Sequence, residues 1–212
     1  MLHPDAELRL VDTRIGYGVF ATALIPKGTI TWVLDPLDRL LSPSFLDELD
    51  PTIAEIVVKY SWRWPDGRRV LAWDFCRFMN HGCVPTCSSA DLDFELAVTD
   101  ILPGEQLTND YASLNIERPF ECQCGHPMCR GTVSPEDFDA LCDGWDQQVR
   151  AALSVAASLA QPLLQVAAEP GRLEHRLQET WRPPSIRERR IGPPVQIEPV
   201  QIEQVAPRFA IE

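Results

Sequence analysis

The chain has 212 residues, of which 45% are hydrophobic and 24% are charged, a balance typical of a globular protein rather than a disordered one. The sequence has no run of about 18 apolar residues and no apolar segment near its start, so we expect neither a membrane span nor a secretory signal. The formal net charge of −12 argues against direct binding to nucleic acid and favours a basic partner, although an acidic surface also serves solubility alone. These features predict a soluble intracellular protein, located in the cytoplasm, or in the nucleus if the source is eukaryotic.

The first hundred residues predict short strands separated by glycine and proline. Residues 8–34 contain two runs rich in β-branched and aromatic residues, GVFAT and TITWVL, with the turn IPKG between them. Residues 42–60 are predicted to be helical, and Asp50 followed by Pro51 marks a helix start within them. The apolar side chains after this start share one face: Ile53, Ile56, Val57 and Tyr60. A hairpin is expected around residues 65–67, and a further strand over 94–102.

The pattern changes after residue 131. Ser134 begins a segment of capping-box character, and an apolar stripe of helical period follows to about residue 162: Phe138, Leu141, Cys142, Trp145, Val149, Leu153 and Ala156. Beyond residue 180 the chain is rich in proline and has no period, which predicts a tail without a packed core.

Seven cysteines in a chain without an export signal indicate metal ligands or buried thiols rather than disulfides. The stretch ECQCGHPMCRG, residues 121–131, brings Cys122, Cys124 and Cys129 close enough in sequence to share one zinc ion. A structural zinc site needs a fourth ligand, and spacing alone leaves four candidates: His126, Cys142, Cys83 and Cys87. Cys142 also fits the apolar stripe of its helix, which favours a buried thiol there.

Four motifs, in this order, resemble those of the SET-domain protein-lysine methyltransferases. RIGYGVFATALIPKGT (14–29) resembles the glycine-rich opening of the family, and RFMNHGCVPTC (77–87) resembles its Asn-His-x-Cys-x-Pro block. GEQLTNDY (104–111) is similar to its G-E-E-L-T-x-D-Y motif, and the cysteine-rich stretch is similar to its post-SET motif. A lone G-x-G is weak evidence, but the second and third motifs together are highly specific.

The resemblance implies an α+β, mostly β, SET fold of the β-clip type, with short sheets and a threaded, pseudoknot-like C-terminal loop. It divides the chain into a SET domain (8–114), a zinc-bound post-SET flap (118–132), a helical extension (134–180) and a flexible proline-rich tail (181–212). The implied function is methyl transfer from S-adenosylmethionine to a lysine of a basic protein, such as a histone or a ribosomal protein. The lack of a long apolar run and the acidic charge predict no membrane and no direct nucleic-acid contact, and the oligomeric state stays open.

The same resemblance assigns roles to individual residues. Cys83 becomes the fourth zinc ligand beside Cys122, Cys124 and Cys129, which ties the flap to the middle of the fold. Tyr111 becomes the catalytic residue, with a hydroxyl that orients the amine and the methyl group. The implied contacts to the cofactor come from Gly16, Tyr17, Gly18, Arg77, Asn80, His81, Tyr111 and Phe120. Glu105 and Asp110 become structural acids rather than a hydrolase-type acid/base pair.

Some residues have a second interpretation from chemistry alone. The two glycines equally suit a turn, the Asn-His pair a structural cap, and Phe120 a hydrophobic anchor for the flap. The aromatic residues of the insert are expected either in the core or as walls of a lysine channel: Tyr60, Trp62, Trp64 and Trp73. Asn109 stands where the family usually has Phe or Tyr, which leaves the number of methyl groups transferred undetermined.

Two rival functions follow from the same residues. A non-catalytic SET-like module would keep the zinc cluster and bind a partner protein without binding the cofactor. A thiol enzyme would use Cys76 or Cys83 together with His81. The retained Asn80, His81 and Tyr111 argue against the first rival.

Overall fold

The computed structural model describes residues 1–178 and 180–191. Within them, twelve short strands form four small sheets rather than one large sheet. The strands are β1 (Ala6–Asp12), β2 (Gly16–Ala21), β3 (Ile30–Val33), β4 (Arg39–Leu41), β5 (Trp62–Arg63), β6 (Arg69–Leu71), β7 (Asn80–His81), β8 (Cys87–Asp91), β9 (Phe94–Ala97), β10 (Gln106–Asn109), β11 (Phe120–Glu121) and β12 (Thr132–Val133). This architecture agrees with the predicted mostly β class.

Helices are fewer, and most of them are short. The α-helices are α1 (Pro43–Asp47), α2 (Pro51–Lys59), α3 (Asp137–Ala156) and α4 (Pro170–Arg176). Single 3₁₀ turns cover Phe75–Phe78, Tyr111–Leu114, Leu164–Val166 and Ile186–Arg189. Within the described residues, no helix combines the length and apolar character that a bilayer crossing needs.

The sheet β1-β2-β10-β7 brings distant motifs together. Strand β10 pairs with β2 in antiparallel fashion and with β7 in parallel, so Thr108 lies opposite Asn80 and Asn109 lies opposite His81. A parallel pair requires a long crossover between its strands. Residues 82–105 provide that crossover and include β8 and β9, which form a second sheet in the order β3-β9-β8. The Asn-His and Asn-Asp-Tyr motifs therefore end side by side.

Helix α3 packs against the second sheet. Its buried residues Val149, Ala152 and Ala156 share a core with Ile30 and Phe94 of the strands. The contact is close at Gly28, where an added Cβ would lie 2.7 Å from the Ala152 carbonyl oxygen, so this turn requires glycine. The helical extension thus completes the core of the strands before it.

Helix α2 forms where predicted, and the Asp50 side chain accepts a hydrogen bond from the Thr52 amide at 2.9 Å. Its predicted apolar face does not enter the core: Ile53 is 51% exposed and Ile56 is 53% exposed. The helix lies beside a cavity and contributes Ala54 and Val58 to its lining, neither of which belongs to the predicted face. Periodicity identified the helix but not the side that packs.

The predicted start of an unpacked tail at residue 181 is wrong for the described residues that follow it. Ile186 is 2% exposed, and the Ser185 hydroxyl and the Ile186 amide both donate to the Asp146 carboxylate of α3. Arg189 donates to two carbonyl oxygens of β8, and its own carbonyl accepts from Asn115. Polar anchors and a capping box at Ser185, rather than an apolar stripe, hold this segment. Residues 192–212 of the predicted tail lie outside the described residues.

Candidate active site and metal centre

The structure brings four cysteine thiols together, as the resemblance implied. Cys83 follows β7, whereas Cys122, Cys124 and Cys129 follow β11 in the flap. All four Sγ atoms lie within 4.8 Å of one another. The Sγ atoms of Cys83 and Cys122 are 3.6 Å apart. Zinc–sulfur bonds of about 2.3 Å place the corners of a tetrahedron about 3.8 Å apart, so this cysteine cluster fits a zinc ion.

Backbone amides support the same interpretation. The amides of Cys124, Arg130 and Gly131 each lie 3.4 Å from a sulfur of the cysteine cluster and donate to Cys122, Cys83 and Cys129, respectively. N–H···S hydrogen bonds stabilise the thiolate, which is the form that binds metal. The donor set is therefore suited to a soft divalent cation.

The other ligand candidates lie elsewhere. Cys142 is fully buried in α3 and Cys87 is fully buried in the central core, where burial raises its pKa to about 12. The Nδ1 atom of His126 accepts the Met128 amide at 3.1 Å within its own turn. Cys76, the other thiol considered as a nucleophile, is buried, and that burial raises its pKa well above the usual value. A protonated Cys76 and a clustered Cys83 argue against a thiol enzyme.

An ion pair fastens the flap to the sheet. Arg130 donates two hydrogen bonds of 2.7 Å to the two oxygens of Asp110, which follows β10. These bonds raise the pKa of Arg130 further above its usual value. Glu105 is also structural, because its carboxylate accepts the Leu102 amide at 2.9 Å. Both acids thus have the structural contacts that the resemblance implied.

Three predicted site residues form one aromatic cluster. The His81 ring lies 5.6 Å from the Tyr111 ring and 5.5 Å from the Phe120 ring, and the latter two are 6.0 Å apart. His81 Nδ1 accepts the backbone amide of Tyr111 at 3.1 Å, and its Nε2 lies 3.3 Å from Cys83 Sγ. Burial lowers the pKa of His81, so the ring is neutral at pH 7. His81 therefore connects the cysteine cluster to Tyr111.

The glycine-rich opening lies against Asn80. The Asn80 side-chain amide donates to the Tyr17 carbonyl and to Gln106 Oε1, both at 3.1 Å. A Cβ on Gly18 would lie 2.8 Å from Asn80 Nδ2 and 2.6 Å from that oxygen of Gln106, which explains glycine at this position. Gly16 has a φ of +87°, and a Cβ there would meet nothing within 4 Å, so this backbone faces open space. Gln106 completes this arrangement; it lies within the GEQLTNDY motif, but no role was assigned to it from the sequence.

Tyr111 also borders a cavity of about 580 Å³, here called the Tyr111 cavity. Tyr60 and Trp62 line it, as a channel requires, whereas Trp64 is 7% exposed in the core and Trp73 donates to Asp35 elsewhere. Of the four aromatic residues, two therefore form part of the cavity wall, and the other two lie away from the cavity.

The Tyr111 hydroxyl donates a short hydrogen bond of 2.6 Å to the Met79 carbonyl oxygen. Burial raises the pKa of Tyr111 to about 12, so the phenol stays protonated at neutral pH. A protonated, fixed phenol presents an oxygen with free lone pairs and is suited to orienting a substrate rather than to removing a proton from it.

Arg77 lies at the edge of the same cavity, but its guanidinium donates to the Trp73 carbonyl at 2.8 Å and to the Ala72 carbonyl at 3.3 Å. Its predicted contact with a cofactor carboxylate stays a prediction. Sequence reasoning also missed Glu95, which lines the cavity at 4% exposure. The available signal was one acidic residue inside the strand FELA, whose four residues are all buried.

Residues 16–112 match the family model described as SET domain. Histone-lysine N-methyltransferase TRX1 of Oryza sativa subsp. japonica is 28% identical over 148 residues, which are 64% of this chain and 14% of that protein. Histone-lysine N-methyltransferase ATX2 of Arabidopsis thaliana is 29% identical over 138 residues, 58% of this chain and 12% of the relative. A Schizosaccharomyces pombe protein named "Histone-lysine N-methyltransferase, H3 lysine-4 specific" is 37% identical over 68 residues, 29% of this chain and 7% of the relative. The matched region is thus a small part of each of these relatives.

Proposed function

We propose that this chain, whose residues 16–112 match the SET domain model and whose relatives are named histone-lysine N-methyltransferases, transfers a methyl group from S-adenosylmethionine to the side-chain amine of a protein lysine. One observation carries the proposal: Tyr111 lines a cavity and also packs against His81 and Phe120. A residue in that position can contact a substrate amine in the cavity while bordering the cofactor residues that the family motif implies.

Cofactor binding is proposed for the surface formed by the glycine-rich opening and the Asn-His segment. S-adenosylmethionine, when bound, supplies a methyl carbon that is already electrophilic, so the protein chiefly contributes position. Gly16, Tyr17 and Gly18 would offer backbone groups, and Asn80 and His81 would offer side chains from the adjacent strand. Phe120 would cover this surface from the flap. Arg77 is retained as a weaker candidate for the cofactor carboxylate.

Tyr111 would orient the amine rather than deprotonate it. Its raised pKa of about 12 keeps the hydroxyl in place as a donor to Met79, with its oxygen available to an incoming N–H. Zinc in the cysteine cluster would hold the flap, and with it Phe120, against the sheet. The metal would thus act on the geometry of the site and not on the transferred group.

The proposed substrate is a basic protein segment. The relatives are named for histone lysines, and the net charge of −12 suits any lysine-rich partner, including a ribosomal protein. The degree of methylation is part of the test, because Asn109 lies in the cavity where an aromatic side chain is usual for the family.

The decisive experiment combines methyl-labelled S-adenosylmethionine with purified histones and ribosomal proteins, followed by mass-spectrometric mapping of the labelled residues. We expect label on lysine and a loss of at least 100-fold in kcat for Tyr111→Phe, since orientation of the reacting groups accounts for much of the barrier reduction. The matched control Tyr60→Phe removes the hydroxyl of the other tyrosine in the cavity lining and should lower kcat far less. Tyr111→Phe at the wild-type rate would remove the assigned role.

A thermal-shift measurement separates the enzyme from a non-catalytic SET-like module. Binding to the folded state raises the melting temperature with ligand concentration. An enzyme should be stabilised by both S-adenosylmethionine and S-adenosylhomocysteine, whereas the binding module should respond to neither.

A further inference from the structure

We propose that Glu95 is a substrate-contacting residue, whose carboxylate receives the cationic nitrogen of the substrate side chain in the Tyr111 cavity and accepts a proton from it before methyl transfer. The inference rests on the proposed function for its reaction, but the binding of a cation by Glu95 is testable without that reaction.

The first argument is the cost of placing a carboxylate there. Glu95 is 4% exposed, on a strand whose four residues are all buried. A buried charge normally has a paired cation, and within residues 1–178 and 180–191 no arginine or lysine forms an ion pair with Glu95. Burial raises the pKa of this carboxyl. An ionised Glu95 is therefore unfavourable for folding, and a cation bound in the cavity would offset the free-energy cost of this buried charge.

The second argument is how the carboxylate is held. The Asn109 side-chain amide donates to both oxygens of Glu95 at 3.0 Å, and the Ser89 hydroxyl donates to one of them at 3.2 Å. A carboxylate offers about four acceptor sites, so these three contacts fix its orientation and still leave capacity for an N–H donor. Asn109 stands where the family usually has an aromatic residue, and its amide makes a contact to Glu95 that Phe could not make.

The third argument is the set of charged and titratable neighbours. The thiols of Cys76 and Cys87 face Glu95, and burial together with the charge of Glu95 raises the pKa of both, so they stay neutral. Tyr111 is also protonated at neutral pH. Five cationic residues line the cavity: Lys59, Arg63, Arg69, Arg77 and Arg118. Arg63 and Arg69 contact Glu117, Arg69 also donates to Ser61, and Arg77 donates to backbone carbonyls. The Lys59 ammonium lies 5.3 Å from the centre of the Tyr60 ring. Glu95 is thus a buried carboxylate of this lining that faces neutral thiols and a neutral phenol.

The proposed reaction consists of proton transfer to Glu95, methyl transfer to the amine, and release of the proton. A lysine amine has a reference pKa of about 10.4 and arrives as an ammonium ion. One N–H proton passes to the Glu95 carboxylate, which becomes a neutral carboxyl, and the amine gains the lone pair that attacks the methyl carbon. The new N–C bond forms as the S–CH₃ bond breaks, and the carboxyl releases its proton to water when the methylated product leaves. Burial raises the pKa of Glu95, which makes this carboxylate a stronger base than an exposed glutamate and so favours the transfer.

The test uses two readouts on the full chain. In the first, carboxyl-labelled glutamate is followed by NMR, with the Glu95 signal assigned by its loss in Glu95→Gln, while n-butylammonium chloride or neutral n-butanol is added. We expect the ammonium, and not the alcohol, to shift the Glu95 signal, and we expect Glu95→Gln to weaken butylammonium binding at least tenfold. Equal binding to wild type and Glu95→Gln would overturn the proposal, whether or not methylation is ever observed.

In the second readout, kcat/KM for the methylated substrate is measured from pH 6 to 9. Glu95→Gln should lower kcat/KM by about 10- to 100-fold and remove the acidic limb of the profile. Glu117→Gln is the matched control, since Glu117 lines the same cavity at its exposed edge, and it should keep the wild-type shape of the profile. A Glu95→Gln protein with wild-type kcat/KM and profile refutes the proton-transfer role. A wild-type protein that methylates nothing refutes the proposed function instead, and the NMR titration then decides the cation site.

Discussion

Replacement of Asp110 by Asn tests whether the ion pair to Arg130 fastens the flap. The carboxylate side chain is 2% exposed and the guanidinium side chain 20% exposed, and two hydrogen bonds of 2.7 Å join them. Removing one member of a buried ion pair typically costs about 3–5 kcal/mol, because the other charge is left without a partner. Arg130 is partly exposed and keeps a second contact of 3.5 Å to Asp137. We therefore expect a loss near the lower end, about 3 kcal/mol.

The assay is urea unfolding of the zinc-supplemented protein, with the free energy of unfolding taken from the linear extrapolation. Asn keeps an oxygen that can accept the Ala112 amide, as Asp110 does at 3.2 Å, so the substitution preserves this turn while it removes the charge and one acceptor of Arg130. The control is Asp139→Asn, whose pair with Arg190 is 3.6 Å long with the aspartate 57% exposed; its loss should cost about 0–1 kcal/mol. A loss for Asp110→Asn no larger than for Asp139→Asn would refute the buried-pair argument.

Three further expectations follow from single sites. Gly18→Ala should cost about 1–3 kcal/mol in unfolding free energy because its Cβ would lie under 3 Å from three side chains, whereas Gly144→Ala, with nothing within 4 Å on α3, should gain about 0.5–1 kcal/mol. Cys124→Ser should reduce zinc per chain in elemental analysis and lower the melting temperature, but Cys142→Ala should keep the metal; equal zinc in both variants would contradict the proposed ligand set. Because burial raises the pKa of Glu95, the folded state holds a proton that the unfolded state has already lost, so wild-type stability should fall with rising pH above the unfolded value, by up to about 1.4 kcal/mol per pH unit. Glu95→Gln should lack that fall, and parallel curves for the two proteins would contradict it.

The motifs identified most of the candidate site because they encode local chemistry at fixed spacing. The cysteine stretch at 121–131, the Asn-His pair and Tyr111 were all recognisable before folding, and the apolar period of α3 identified its buried stripe. Glu95 escaped because one acidic residue in a short strand is indistinguishable, in sequence, from a solvent-facing one. The side of α2 that faces the cavity was not predicted for a related reason, since a helix beside a cavity need not bury its most apolar side.

Caps, turns and thiol spacing act over a few residues, so the sequence was sufficient to predict α2, α3, the turn at 65–67 and the cysteine ligands, with Cys83 implied by the resemblance. Two other contacts between distant segments are seen only in the folded chain: His81 with Tyr111, and Glu95 with Asn109. For His81 and Tyr111 the physical reason is the parallel pairing of β7 with β10, since it brings together residues separated by a crossover of two dozen positions. The contact of Glu95 with Asn109 joins β9 to β10 across two different sheets, and such pairings depend on the whole folded chain.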